Sequence, residues 1–199
     1  MFTGIIQSLG IIEDINSNFN TVSIKTKLDL SDCKIGSSIC CDGICLTATS
    51  IKKINNHFLF SVNVTEETLQ RSNMINWKKY VKINLEKSLK VGEEISGHFV
   101  YGHVDTITKI IKIEQHNSSW IFQFSYSDFI NQNYKKFIVE KGSISINGIS
   151  LTIAMIYEDY FTVSVIPHTY SFTNLSNSKE NDLVNIEFDS LARYVLKNI

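Results

Sequence analysis

Two stretches of this 199-residue chain are one hairpin written twice, and the rest of the chain is organised around them. The first is Ser38-Ile39-Cys40-Cys41-Asp42-Gly43-Ile44-Cys45-Leu46-Thr47. The second is Ser143-Ile144-Ser145-Ile146-Asn147-Gly148-Ile149-Ser150-Leu151-Thr152. Each has a short apolar run, an Asp-Gly or Asn-Gly step and a returning run that ends in Leu-Thr. Those two-residue steps suit a type I′ turn, whose central residues both need positive φ. Alternation then puts Ile44 and Leu46 on one face and Cys45 and Thr47 on the other. The second copy likewise separates Ile149 and Leu151 from Ser150 and Thr152. Each hairpin should show a core face and a small polar face, the main chemical difference being a thiol at Cys45 against a hydroxyl at Ser150.

Other matches occur in the same order. Phe99-Val100-Tyr101-Gly102-His103-Val104 echoes Met1 to Ile6. Thr162 to Thr169 echoes Ser61 to Thr68, and Val184-Asn185-Ile186-Glu187-Phe188-Asp189 echoes Val81 to Glu86. Ordered matches at nearly constant spacing indicate an internal duplication. Short strands divided by turn residues, with few helices, predict an all-β chain. We expect two tandem, similar six-stranded antiparallel Greek-key β-barrels plus a short C-terminal α-helix. The expected domains are 1–96, 97–189 and the helix at 190–199.

Individual segments carry more specific expectations. Met1 to Gln7, Gly10 to Ile15, Thr21 to Thr26, His57 to Val64 and Lys79 to Leu85 read as strands. Leu28 to Lys34 could form one helical turn. Thr65 is placed to cap a helix whose first turn holds Glu66 and Glu67. Ser127 to Ile138 reads as a helix with Phe129, Ile130, Tyr134, Phe137 and Ile138 on its apolar side. The tail Ser190 to Ile199 has a stripe of Leu191, Val195 and Ile199, and at ten residues it needs a surface, preferably another subunit.

Composition narrows the function classes. Charged residues make up 20% of the chain and the net charge is −1, which gives no electrostatic case for nucleic acid or an acidic membrane. No apolar run is long enough to span a bilayer, and the N-terminus lacks the pattern of a signal peptide, so we expect a soluble cytoplasmic protein. Cys33, Cys40, Cys41 and Cys45 match no common zinc spacing, and Cys40 or Cys41 reads as a small buried apolar residue. There is no Gly-x-Gly-x-x-Gly, P-loop, His-Glu-x-x-His or Gly-x-Ser-x-Gly. Any chemistry must run on small polar groups and on the substrate's own electronics.

Two similar but unequal polar faces suit two molecules of one ligand, or one ligand with two similar halves. Cys45 is a candidate nucleophile or acid/base if its thiol pKa is lowered, and a packing residue otherwise. His103, in Gly97-His98-Phe99-Val100-Tyr101-Gly102-His103, is a candidate proton carrier. Lys141 and Asp189 could hold polar ligand groups or shift a neighbour's pKa, or serve only as surface charges. Pro167 fixes the bend before His168-Thr169.

Together these motifs, with Lys141-Gly142-Ser143-Ile144 and Ile166-Pro167-His168-Thr169, closely resemble the riboflavin synthase alpha chain family over essentially the whole chain. The resemblance implies two barrels that each bind one 6,7-dimethyl-8-ribityllumazine, two such molecules per active site, and no cofactor or metal. It implies a homotrimer joined by C-terminal helices, with the first barrel of one subunit facing the second barrel of a neighbour. Cys45 and Ser38 would then meet His103 of another chain. It also raises lumazine synthase as a partner. The implied reaction passes a four-carbon unit between two lumazines, giving riboflavin and 5-amino-6-(D-ribitylamino)uracil. By position, Gly4, Ile5, Ile6, Cys45, Leu46, Thr47, Asn63, Val64, Thr65, Glu66, Glu67 and Thr68 would bind the first lumazine. Gly102, His103, Val104, Lys141, Ser150, Leu151, Thr152, Ser164, Val165, Ile166, Pro167, His168 and Thr169 would bind the second. Phe2, Thr3, Ser38, Cys45, His103 and Asp189 would lie closest to the chemistry. Asn147 departs from an Asp common in the family, and Tyr101 from a smaller residue. The rival reading is a lumazine or flavin carrier, or a fluorescent protein, that binds without turnover.

Overall fold

The structure, a computed structural model, describes residues 1–196. Six strands form the first barrel: β1 (Ser8–Ile15), β2 (Thr21–Thr26), β3 (Ser38–Cys41), β4 (Ile44–Ile54), β5 (His57–Asn63) and β6 (Lys82–Lys87). They close in the order β1-β2-β5-β4-β3-β6. The second barrel repeats the topology with β7 (Thr106–His116), β8 (Ser119–Ser125), β9 (Ser143–Ile146), β10 (Ile149–Ile156), β11 (Tyr160–Val165) and β12 (Leu183–Phe188). Every pairing is antiparallel, and closure leaves neither sheet an open edge. Both barrels bend at the same places, with a register shift between Ile12 and Asp14 in β1 and between Ile110 and Lys112 in β7. Such bulges supply the extra local twist that closure needs.

The duplicated hairpins form as the sequence predicts. Cys40 pairs with Cys45 and Ser38 with Thr47; Ser145 pairs with Ser150 and Ser143 with Thr152. Asp42 and Gly43 have φ of 48° and 82°, and Asn147 and Gly148 have 46° and 80°. The two turns meet tip to tip. A Cβ on Gly43 would stand 2.7 Å from the Gly148 nitrogen, and one on Gly148 would stand 2.8 Å from the Gly43 nitrogen. Around this contact the repeats exchange hydrogen bonds. The Asn84 amide donates to the Asn147 carbonyl, and the Asn185 amide donates to the Asp42 carbonyl. Burial pushes the Asp42 carboxyl up to about 8.

Each barrel is filled mainly by its own apolar faces. The first buries Ile12, Val22, Ile24, Cys41, Phe60, Val62, Ile83 and Leu85. The second buries Phe122, Phe124 and Phe161 beside Ile110, Ile144 and Ile186. A third cluster, Phe2, Cys40 and Val100, lies at the seam.

Three local expectations fail, each for a tertiary reason. Met1 to Gln7 is not a strand: only Phe2 bridges, to Val100, and β1 begins at Ser8. Gly4 has a φ of 77°, and the Thr3 and Gly4 N–H groups donate to the Glu86 carboxylate rather than to a ladder. Leu28 to Lys34 forms turns without a helix, anchored by buried Leu28 and Leu30. Ser127 to Ile138 holds only a 3₁₀ helix, Gln132–Phe137, capped by Asn131. Its aromatic residues instead surround Phe188, which has the rings of Phe129, Tyr134 and Phe137 within 5.8, 5.4 and 5.4 Å.

Of the remaining α-helices, two form where the sequence places them and one, at Pro167, forms where only a bend was expected. Thr65 caps α1 (Glu66–Arg71) by accepting from the Thr68 N–H. Pro167 opens α2 (Pro167–Phe172), since its fixed φ suits a first helical position. The tail forms α3 (Ser190–Leu196), with Leu191 and Val195 exposed; the predicted continuation to Ile199 lies outside the described residues.

Replacing Gly43 or Gly148 by Ala forces a Cβ into the opposite turn at a φ that L-residues rarely adopt. Each substitution should lower the unfolding free energy by about 1–3 kcal/mol in urea denaturation.

Candidate functional site

The residues before β1 and before β7 are tethered to the barrels that follow them, through Glu86 and Glu187, and also reach the other barrel. They cross. Phe2 and Val100 exchange backbone hydrogen bonds of 2.6 and 3.1 Å, and the His98 N–H donates to the Thr3 carbonyl. Beyond this crossing, Gly4 reaches the second barrel, where its carbonyl accepts the Ser150 N–H at 2.8 Å. Gly102 reaches the first barrel, where its carbonyl accepts the Cys45 N–H at 2.8 Å. The approach demands glycine: a Cβ would lie 2.6 Å from the Ser150 Cβ at Gly4 and 2.5 Å from the Cys45 Cβ at Gly102. Ile6 packs on the second core and Val104 on the first.

The crossing regroups the expected ligand residues. Gly4, Ile5 and Ile6 join Ser150, Leu151 and Thr152 rather than Cys45 to Thr47, because Gly4 completes the backbone bonding of β10. Gly102, His103 and Val104 join Cys45, Leu46 and Thr47 for the same reason on β4. Cys45 and His103 therefore line one cavity within a single chain, where the resemblance had implied two subunits. That cavity holds about 390 Å³ and is also lined by Ile44, Glu67, Thr68, Val104, Asp105 and Arg193. Arg71, on the same wall, is ion-paired with Glu67. Arg193, from α3, pairs with Asp105, which in turn accepts the Phe188 N–H.

On the second barrel, Ser150 Oγ lies 2.7 Å from His98 Nδ1. His98 Nε2 is buried without a hydrogen-bond partner among the described residues. Burial lowers the His98 pKa, against the opposing charge of Asp189. Asp189 Oδ1 also accepts the Leu191 N–H at the start of α3. A second cavity, of about 750 Å³, runs from Ile6 and Gln7 past Ser171 and Phe172 of α2 to the outer face of β1 and β2. A third cleft, of about 650 Å³, separates the barrels below the hairpin tips and contains none of the expected site residues.

The other expected residues take varied places. Phe2 is fully buried at the seam, so it anchors the crossing; burying a phenylalanine contributes roughly 1.5–3 kcal/mol. Thr3 is also buried, its hydroxyl donating to Glu86. Ser38 pairs with Thr47 and lies off the Cys45 cavity lining. Leu46 and Leu151 face the barrel cores, as do Val64 and Val165. Thr47, Asn63, Thr65, Glu66, Thr152, Ser164, Ile166 and Pro167 are exposed. Lys141 is exposed, with a φ of 63° and its N–H on the Ile153 carbonyl. His168 stacks on Phe172 with centroids 4.5 Å apart, and Thr169 follows it on α2.

Sequence reasoning missed His98, Glu86 and Glu187. Glu86 accepts from Thr3 and Gly4; Glu187 accepts from Tyr101, Gly102 and His103. Burial pushes Glu187 up to about 7 and raises Glu86, while these N–H donors favour the carboxylates. Their signal was present but two residues out of register: the echo of Val81 to Glu86 in Val184 to Asp189 sets Glu86 against Asp189, whereas the structure pairs Cys40 with Glu86 and Ser145 with Glu187, so that Asn84-Leu85-Glu86 matches Asn185-Ile186-Glu187. The sequence did not single out His98; the structure does, since its neighbour Gly97 has no room for a side chain, a Cβ there standing 2.0 Å from the Thr3 carbonyl oxygen.

Comparison with known proteins places this geometry. The lumazine binding domain family matches residues 3–88 and again 101–189. The riboflavin synthase of Actinobacillus pleuropneumoniae is 37% identical over 98% of this chain and 88% of its own length. Those of Brucella abortus and Bacillus subtilis are each 36% identical over 99% of this chain, and over 97% and 89% of their own lengths. Among solved structures, LumP complexed with riboflavin aligns over 94% of this chain and 99% of its own, with a TM-score of 0.79 at 21% identity. LumP complexed with 6,7-dimethyl-8-(1'-D-ribityl) lumazine aligns with a TM-score of 0.77 at 20% identity, over 94% of this chain and 98% of its own. With two matched repeats and full-length relatives of this identity, the chain belongs to the riboflavin synthase family of transferases.

Proposed function

We propose that this chain converts two molecules of 6,7-dimethyl-8-ribityllumazine into riboflavin and 5-amino-6-(D-ribitylamino)uracil. One lumazine gives up a four-carbon unit and the other accepts it, so no outside carbon source or redox partner is needed. The observation that carries this reading is the crossed pair of homologous but unequal sites, Cys45 with Gly102–Val104 and Ser150 with Gly4–Ile6. Equivalent backbone frames bind two copies of one heterocycle, and unequal side chains let the copies take different roles. The names of the full-length relatives support the same conclusion, and the ligands held by LumP suit sites of this kind.

The residues present can position the rings and move protons. The electron-poor lumazine acidifies its own 7-methyl group. The Ser150–His98 pair provides a neutral imidazole, through the serine hydroxyl, as a proton acceptor beside the second ring. Cys45 stands at the corresponding point of the first site. The main protein contribution is holding the two rings in reacting geometry. We further propose domain limits of 1–96, 97–189 and 190–199, with the arms crossing those limits, and a homotrimer joined through exposed Leu191 and Val195 of α3. In that assembly the first site of one subunit would face the second site of its neighbour. A biosynthetic reaction of small polar metabolites suits the cytoplasm.

Purified protein given only 6,7-dimethyl-8-ribityllumazine should form riboflavin steadily, consuming two lumazines per product. Tight binding with no product would establish the carrier reading instead. Cys45→Ser should slow turnover at least tenfold while weakening ligand binding less; equal losses would make Cys45 a binding residue only. Deleting residues 191–199 should abolish the trimer, seen by analytical ultracentrifugation, together with most of the activity. An NMR titration should find the His98 ring neutral until the pH falls below the ordinary imidazole range near 6.5. Because the unfolded chain binds that proton more readily, His98 contributes stability above that range and withdraws it as the pH falls. His98→Gln should flatten this acid-side slope.

A further inference from the structure

We infer that Glu86 and Glu187 are positioning residues that act across the barrels, each setting the site built on the other barrel's hairpin. This rests on reading the Cys45 and Ser150 sites as the two lumazine sites.

Glu86 stands on β6 of the first barrel and is 2% exposed. Its Oε1 accepts the Thr3 N–H at 2.7 Å and the Thr3 hydroxyl at 2.8 Å, and its Oε2 accepts the Gly4 N–H at 3.0 Å. The next polar group along that arm, the Gly4 carbonyl, holds Ser150 on the second barrel. Glu187 stands on β12 of the second barrel and is 4% exposed. Its Oε1 accepts the Tyr101 N–H at 2.6 Å, and its Oε2 accepts the Gly102 and His103 N–H groups at 2.7 and 2.9 Å. The Gly102 carbonyl then holds Cys45 on the first barrel.

The coupling is short and stiff. In Gly4 and in Gly102 alike, the N–H bonds a carboxylate of one barrel while the C=O bonds the hairpin strand of the other. Both residues have positive φ, at 77° and 76°, so their two peptide planes are fixed in the same unusual relation. A carboxylate that shifts or loses an oxygen acceptor therefore moves the carbonyl at the far barrel. It also moves the side chain that follows, Ile5 on one arm and His103 on the other. A buried carboxylate that accepts three donors is well suited to this work, because charge-assisted bonds are short and geometrically demanding. Neither carboxylate lines the Cys45 cavity or the larger cavity beside Ile6. Their effect on a ligand passes through the arm.

The test uses the full-length protein and the variants Glu86→Gln and Glu187→Gln, in which an amide NH₂ replaces one acceptor and opposes a backbone N–H. Hydrogen exchange is read at the Cys45 and Ser150 amides. Binding is read by ¹⁵N NMR at Thr47 and Thr152, with a ribityllumazine whose 7-methyl group is replaced by an oxo group so that it cannot react. Glu187→Gln should speed exchange at Cys45 and weaken binding at the Thr47 site by about tenfold or more, with under about twofold change at Ser150 and Thr152. Glu86→Gln should do the reverse. Equal loss at both sites, or loss at the site on the substituted residue's own barrel, would overturn the proposal. If a Gln variant does not fold, Glu86→Asp and Glu187→Asp retract the carboxylate by one methylene, and the same crossed pattern decides. Exchange needs no ligand. A wild-type protein that bound no lumazine would therefore overturn the proposed function, while crossed exchange would still decide the positioning.

Discussion

The structure depends on a reciprocal exchange of hydrogen bonds around two glycine turns. Gly43 and Gly148 let the hairpin tips touch, and that contact sets how closely the barrels approach. At this separation an arm of only a few residues can leave one barrel, cross its twin at Phe2 and Val100, and complete the hairpin strand of the other. Bulkier turns would separate Gly4 from Ser150 and Gly102 from Cys45. Both polar faces would then lose the backbone that covers them.

Symmetry in the frame makes the differences between the sites interpretable. The turns, the bulges, the Glu clamps and the arm glycines recur in both halves, although Glu86 takes the Thr3 hydroxyl where Glu187 takes the His103 N–H. What differs sits at the ends of that frame: a thiol at Cys45 and a hydroxyl at Ser150, a carboxylate–guanidinium pair of Asp105 and Arg193 beside the first, and a buried imidazole beside the second. A duplicated scaffold can hold two like molecules in related poses. Divergence of a few side chains then suffices to give the two molecules different fates.

The sequence revealed what is local and hid what is not. Asp-Gly and Asn-Gly announced their turns, Thr65 announced a helix cap, and the order of matched motifs announced two barrels. Each of these is decided within a few residues. Met1 to Gln7 looked like a strand because its apolar residues suit extended backbone, but its hydrogen-bond partners are Glu86, Ser150 and Val100, far away in the chain. The aromatic residues of Ser127 to Ile138 looked helical because their spacing says that they are buried, not against what; they are buried around Phe188. Glu86 and Glu187 sit in strands where alternation offers no way to tell a solvated carboxylate from one that clamps a neighbouring arm. The regrouping of Gly4 with Ser150, and of Gly102 with Cys45, follows from the same crossing.

The crossed arms also suggest how such a molecule could arise. Each arm precedes its own barrel and embraces the other, which is the topology of a two-fold dimer of single barrels that trade their N-terminal segments. In that ancestor both sites would have been identical, and any substitution would have struck both at once. Joining the two copies through the segment between β6 and the second arm changes none of the contacts described. It does free the copies to mutate separately, so fusion, rather than any new fold, is the step that permits one site to keep a cysteine while the other takes a serine.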